Sequence, residues 1–269
     1  MEKCIMTKIY LVDSRVKRMY TFFTVIVVIL FVIATVLTRF NPFEVVASSS
    51  EVWNFVTTDF LPPTLTKPVP IFNAIITTIC LAISSTFVAA VMAIIAAMFG
   101  SESISPFPKY AKLIRAVATF LRNIPPLVWA FILFSSLGIG TGVGFIALVI
   151  STFAFMTRAF IESIDEISEE STESLLVVGA SFPQRVFQAV IPSCLQDFIS
   201  WFLYCIELNI RASTVVGMVG GGGIGLVLFS YLKTFRYQTA AGIILIMAAT
   251  IILVDLLTGY LRTRIMQND

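Results

Sequence analysis

The sequence predicts an all-α integral membrane protein with about six transmembrane helices. Three observations carry that prediction. First, 58% of the 269 residues are hydrophobic and only 13% are charged, with a mean hydropathy of +0.94. Soluble domains carry about 25% charge, and a globule of this length has too much surface to hide so much apolar side chain behind so few charges. Second, several charge-free runs reach the roughly 20 residues that a helix needs to cross a hydrocarbon core about 30 Å thick. Third, the basic residues divide unevenly between the two sides of those runs.

Composition also narrows the chemistry. Eighteen basic and 16 acidic residues leave a net charge of +2, too little for a phosphate-binding footprint, so nucleic acid is not an expected partner. Histidine is absent. That removes imidazole acid–base catalysis, Ser-His-Asp and Cys-His nucleophiles, and zinc sites that need imidazole. Cys4, Cys80, Cys194 and Cys205 form no C-x-x-C pair, and three of them lie in apolar stretches. They read as small buried hydrophobes. No catalytic residue, metal or cofactor is expected.

In chain order, residues 1–18 form a cytoplasmic N-terminus and 19–38 the first span. That span is retained as a helix, because its apolar run is long and no small-x-small cleavage site follows closely. Residues 39–70 form an external loop. Pro62-Pro63, Pro68 and Pro70 keep much of it extended, and Trp53 and Phe60 suit an interface. The second span lies within 68–101. The run 123–157 is too long for one helix and too short for two. It breaks at Gly138-Ile139-Gly140-Thr141-Gly142-Val143-Gly144. A third span therefore starts near Ala116 and tolerates Arg122, and a fourth covers about 143–160. The fifth, about 192–218, carries Asp197, Glu207 and Arg211. The run Gly220 to Gly225 then breaks the chain, and 226–232 is too short to cross, reading as a re-entrant or buried piece. The sixth covers about 239–261 and contains Asp255. Residues 265–269 form a tail.

With the N-terminus inside, cytoplasmic segments hold Lys3, Lys8, Arg15, Lys17, Arg18, Lys109, Lys112, Arg115, Arg158, Arg185, Arg262 and Arg264. External segments hold Arg39, Lys67, Lys233 and Arg236, and Arg122 and Arg211 remain within the membrane. This asymmetry places both termini in the cytoplasm.

The loop 162–189 is the informative one. Its acids are Glu162, Asp165, Glu166, Glu169, Glu170 and Glu173, and Arg185 is its only base. Ile164, Ile167, Ser171, Leu175 and Val178 recur at helical spacing, which predicts a short amphipathic helix. Gly179-Ala180-Ser181 ends it, and Phe182-Pro183 opens a second short helix. A helix–glycine turn–helix of this kind suits a lever on which a partner docks. A solvated acidic connector is the plainer alternative.

Glu173-Ser174-Leu175, three residues, Gly179, nine residues, then Ala189-Val190-Ile191-Pro192 resembles the EAA signature of ABC importer permeases. Glutamate, glycine and proline match in register, while Ser174, Leu175, Ala189 and Ile191 depart. Leu121-Arg122-Asn123-Ile124-Pro125-Pro126-Leu127-Val128-Trp129-Ala130 looks like the R-x-I-P-x-L-V-W-A stretch of phosphonate-transport permeases. Glu207-x-Asn209-Ile210-Arg211-x-Ser213-Thr214-Val215-Val216-Gly217 and the glycine run after it are similar to the same family. The resemblance covers about 71–264. It implies a type I ABC importer permease core with a coupling-helix loop, in a bacterial cytoplasmic membrane. Two permease copies (a homodimer), two cytoplasmic ATP-binding subunits, an external substrate-binding protein and a phosphorus oxyanion such as a phosphonate come with it. Glu173, Gly179, Ala180, Ser181 and Pro192 are the expected ATPase-coupling residues.

Charges at membrane depth cost about 2.5–3.5 kcal/mol on insertion scales, so each needs a partner or a purpose. Glu207 and Arg211 stand four apart in the favourable acid-first order. Two readings stay open: an ion pair that fixes packing, or a pathway lined by Arg211 with Asn209 and Ser213, where the guanidinium fork meets an anion. Arg122 either snorkels to the interface or joins Asn123 in the pathway. Gly220, Gly222 and Gly225 match G-x-G-x-x-G only formally, since no strand precedes them. With Gly217 they read as a tight turn and a gate near the external mouth. No Walker A motif occurs in the sequence, so ATP hydrolysis belongs to another polypeptide. An intramembrane lipid-phosphate enzyme and a secondary carrier working without an ATPase are the competing functions.

Overall fold

A computed structural model of the chain describes residues 14–167 and 174–266. Among them every regular element is helical, and they fall into two units, Met1–Thr58 and Asp59–Asp269.

The first unit opens with α1, Ser14–Thr38. Its run of β-branched and aromatic side chains is apolar all round. The hydroxyls of Thr21, Thr24 and Thr38 donate to carbonyls one turn back, which satisfies them without water. Two short helices follow, α2 (Pro42–Ala47) and α3 (Ser49–Phe55). Here the structure corrects the extended loop expected over 39–70. The Asn41 side chain accepts from the Phe43 N–H at 3.1 Å and Pro42 takes the first helical position, a start signal that outweighs the prolines further on.

The second unit contains α4 (Pro68–Gly100), α5 (Pro108–Arg122), α6 (Pro126–Leu137) and α7 (Thr141–Ile167). After the 168–173 segment, α8 (Phe182–Arg185) runs through a π-turn into α9 (Ile191–Val216). The π-helical stretch Gly217–Gly221, α10 (Gly223–Lys233) and α11 (Tyr237–Met266) complete it. Proline starts α4, α5 and α6, where its missing N–H costs nothing.

Five helices among the described residues are long and apolar enough to cross a membrane. A sixth span exists if α5 and α6, bent by 85°, are counted together. The third span expected through Arg122 is therefore not a straight helix. Pro125 and Pro126 lack the N–H that would bridge back to the α5 carbonyls, and they drive the preceding residues out of the helical region.

The bundle packs around α4 and α7. Ala82, Thr86, Ala89, Ala93 and Ala97 form a buried stripe of small residues along α4, and Ala147 and Ala154 are buried on α7, the helix α4 packs against most extensively. Small side chains let membrane helices approach closely, which matters where lipid supplies no hydrophobic drive between them. At one end, Met156, Phe160, Ile161, Ile164, Val186, Val190 and Cys194 close a core cluster, with Phe160 and Phe198 4.5 Å apart between ring centroids. At the other, Ile71, Ile224, Leu228, Ala240 and Ile243 form a second cluster. Ile76, Ile83, Phe87, Val91 and Ile95 point outward from α4 and stay exposed, as a lipid-facing surface requires.

The coupling loop expected over 162–189 is shorter at both ends. Helix α7 continues to Ile167, and Ile164 is fully buried in its core cluster rather than starting a separate loop helix. On the far side, α8 and the π-turn already belong to the long helix leading into α9.

Candidate functional site

Residues 174–177 are helical and end at Gly179, whose φ is +78°. The Gly179 N–H donates to the Leu176 carbonyl and the Ala180 N–H to the Leu175 carbonyl, each at 3.0 Å. These are the two bonds of a Schellman closure, which needs a left-handed residue at this place. Ser181 then caps α8. Its N–H and its hydroxyl both donate to the Gln184 side-chain oxygen at 2.8 Å. Gly179, Ala180 and Ser181 thus form one rigid corner, and Pro192 sits in the first turn of α9. Glu173 lies outside the described residues, as do Glu169, Glu170 and Ser171. The corner presents apolar side chains, with Val177 83% and Val178 77% exposed and Leu176 beside them.

In sequence order, the end of α4 is met both by the residues after the corner and by the end of α7 before it. After it, Phe182 stacks on Phe99 at 5.6 Å, and Val186 and Val190 are buried. Before it, Asp165 near the end of α7 collects a cluster that sequence reasoning missed. One carboxylate oxygen accepts from the Ser101 hydroxyl at 2.5 Å, the Glu102 N–H at 3.0 Å, and the Ser103 hydroxyl at 3.2 Å and N–H at 3.3 Å. The other accepts from Arg115 at 2.6 Å. The Arg115 Nε donates to the Gly100 carbonyl at 2.7 Å, the last of α4, where a cation is favourable. Glu102 adds a looser ion pair at 3.5 Å. Read in sequence, Asp165 was one acid of a loop and Arg115 one basic marker of sidedness. Fifty residues separate them, and no local pattern joins them.

Glu207 and Arg211 of α9 pair as their spacing predicted. Arg211 donates to Glu207 one turn earlier. The Glu207 side chain is 12% exposed and that of Arg211 49%, so the acid is largely covered while about half of the arginine side chain stays open. Asn209 is buried. Its amide donates to Thr86 and Thr152 at 2.8 Å each, and Thr152 donates back to its carbonyl oxygen at 3.0 Å. It therefore ties α9 to α4 and α7. Ser213 is buried too and donates to the Ile210 carbonyl. The structure places neither Asn209 nor Ser213 on a free surface. A cavity of about 240 Å³ between α6, α7 and α9 is lined by Pro126, Ser151, Phe155, Leu208 and Ala212 as well as Asn209. A wider one of about 560 Å³ follows along α7 and α9, with Glu162, Glu166, Asp197, Tyr204 and Arg262 on its wall.

Arg122 and Asn123 stand at the α5–α6 bend, both exposed. Arg122 occupies the last turn of α5, a favourable place for a cation. The Asn123 amide donates to the Thr119 carbonyl at 2.8 Å.

The glycine run is a packed crossing. A Cβ on Gly217 would meet the Gly222 carbonyl, and one on Gly225 would overlap the Thr214 carbonyl. Gly220 (φ +105°) and Gly222 (φ +81°) turn the chain between α9 and α10. The Gly140 N–H donates to the Gly220 carbonyl at 2.9 Å, and the Ile224 N–H to the Thr78 hydroxyl at 2.8 Å. The turn is thereby bonded to α4 and to the connection before α7.

Comparison with known proteins agrees with this architecture. Residues 89–267 match the family model of the binding-protein-dependent transport system inner membrane component. The phosphite transport system permease protein PtxC of Stutzerimonas stutzeri is 32% identical over 75% of this chain and 74% of its own length. The phosphate-import permease protein PhnE of Mycolicibacterium smegmatis is 27% identical over 87% of this chain, which spans 44% of that longer protein. Among solved structures, an inward-facing form of the MetNI methionine ABC transporter superposes with a TM-score of 0.66 at 16% identity, over 75% of this chain and 99% of that one. At that identity the likeness speaks for the fold. The chain belongs to the binding-protein-dependent transport system inner membrane component family: it is a multi-pass permease subunit of an ABC importer in the inner membrane, a transport component and not an enzyme.

Proposed function

We propose that the chain forms half of the channel of an ATP-driven importer for a phosphorus oxyanion: phosphonate, phosphite or phosphate. A second copy pairs with it in the membrane, two ATPases grip the Gly179–Ser181 corners, and an external binding protein delivers the anion. Both termini face the cytoplasm. ATP binding draws the ATPases together and tilts the permeases outward-open, and hydrolysis resets them. This is rigid-body switching between two packings biased by partners.

One observation carries the anion assignment. Arg211 sits in the last third of an apolar helix, with half its side chain open beside a partner that is covered. A charge held at that depth marks a pathway more often than a scaffold, and the guanidinium fork fits phosphorus oxyanions in two-point contact. The names of the relatives, which concern phosphite and phosphate, support the same substrate class. Gly217, Gly220, Gly222 and Gly225 act as the hinge of an external gate.

The test is uptake by vesicles containing the permease with its ATPase and binding protein. Labelled phosphonate, phosphite and phosphate are offered with ATP, and again with an ATPase unable to hydrolyse it. ATP-dependent accumulation of one of the three is expected. Uptake by the permease alone would instead establish a secondary carrier.

A further inference from the structure

We infer that Arg115 and Asp165 form a coupling clasp: positioning residues that make the α4–α5 corner the first membrane element to receive the movement of the ATPases. The inference rests on the importer reading above and deepens it.

The start of α8, just after the corner, and the end of α7 both meet the end of α4. The start of α8 holds it through apolar contact, Phe182 on Phe99. The end of α7 holds it through Asp165, one of whose carboxylate oxygens gathers Ser101, Glu102 and Ser103. Ser101 is fully buried, so these bonds are shielded and directional. Arg115 closes the arrangement from α5, bonding the Asp165 carboxylate and the last α4 carbonyl together. Its side chain and that of Asp165 are only 21% and 27% exposed. A pair so covered is weakened little by salt and holds one geometry. The backbone between Gly100 and Pro108 would otherwise be a loose connection, able to bend when α7 is pushed. With Asp165 bonded to it, the end of α7, the end of α4 and the start of α5 move as one body. The exposed apolar tips at 176–178 can then be displaced without the displacement being absorbed in the 101–107 turn.

The experiment compares wild type with Asp165→Asn, Arg115→Ala and Arg115→Lys in the assembled complex. It reads ATP hydrolysis, substrate moved per ATP, complex yield and the thermal midpoint. Asp165→Asn keeps the side-chain size but removes the charge that several donors share. Substrate moved per ATP is therefore expected to fall at least about tenfold while hydrolysis continues. Arg115→Ala should do the same. Arg115→Lys, which keeps a cation beside Asp165, should restore most of the ratio. Unchanged transport per ATP overturns the inference, as does a drop in yield or thermal midpoint with the ratio intact, since a purely structural bond would do that. A wild-type complex without ATP-driven uptake sinks the importer reading itself, and the coupling role with it.

Discussion

Arg211 and Asn209 stand two residues apart on α9, in opposite surroundings. The amide of Asn209 is committed to Thr86 and Thr152, and interhelical bonds of this kind average about 0.6 kcal/mol in membranes. Asn209→Leu should therefore lower the thermal midpoint by a few degrees and leave substrate uptake per assembled complex unchanged. Arg211 has donors to spare after meeting Glu207. Arg211→Ala should leave assembly intact and cut uptake by roughly ten- to a hundredfold, the scale of a lost charge-assisted bond. Uptake assays normalised to the amount of complex separate the two. If Arg211→Ala only lowers abundance, the ion pair is a packing device and the pathway role falls.

At the scale of elements, the corner at Gly179 is constrained by its backbone, at a φ of +78°. A side chain there meets open space, so the obstacle is conformational alone. A left-handed residue other than glycine costs roughly 1–2 kcal/mol, least for asparagine, whose side chain can bond locally. Gly179→Val should insert normally in the membrane yet hydrolyse ATP without proportionate transport, while Gly179→Asn should keep most of the coupling. Comparable transport per ATP in both variants would count against the lever. Gly217 and Gly225 obey a different rule, because there backbone meets backbone and a methyl group has nowhere to go. The α5–α6 bend is a third case, fixed by Pro125 and Pro126 rather than by space or strain.

For the whole molecule, sidedness is the decisive property. The proposal needs the Gly179 corner on the cytoplasmic face and the turn joining α10 to α11 on the other. That turn carries Lys233, Phe235 (76% exposed) and Arg236. In a background without the native cysteines, a cysteine at Ser181 should resist a membrane-impermeant thiol reagent in intact cells, and one at Phe235 should react. The reverse pattern would place the corner outside, beyond the reach of any ATPase.

Span count and apolar character were legible in the sequence because they depend on composition and run length, which lipid reads directly. The glycine breaks and the Glu207–Arg211 pair were legible for a similar reason: φ preference and the four-residue helical period are local. The extent of the coupling segment was not. Ile164 fits an amphipathic loop pattern as well as a buried one, and only its place against α4 and α8 shows which holds. Asn209 carries no local sign of its two threonine partners, 123 and 57 residues away. Nor does Asp165 of its bond to Arg115. The chain alone settled that this is a helical membrane protein and where its glycine runs break it, since solvent preference and backbone geometry act residue by residue. Which polar groups brace the bundle and which stay open was decided only by folding, because a buried hydrogen bond exists between helices that sequence distance keeps apart.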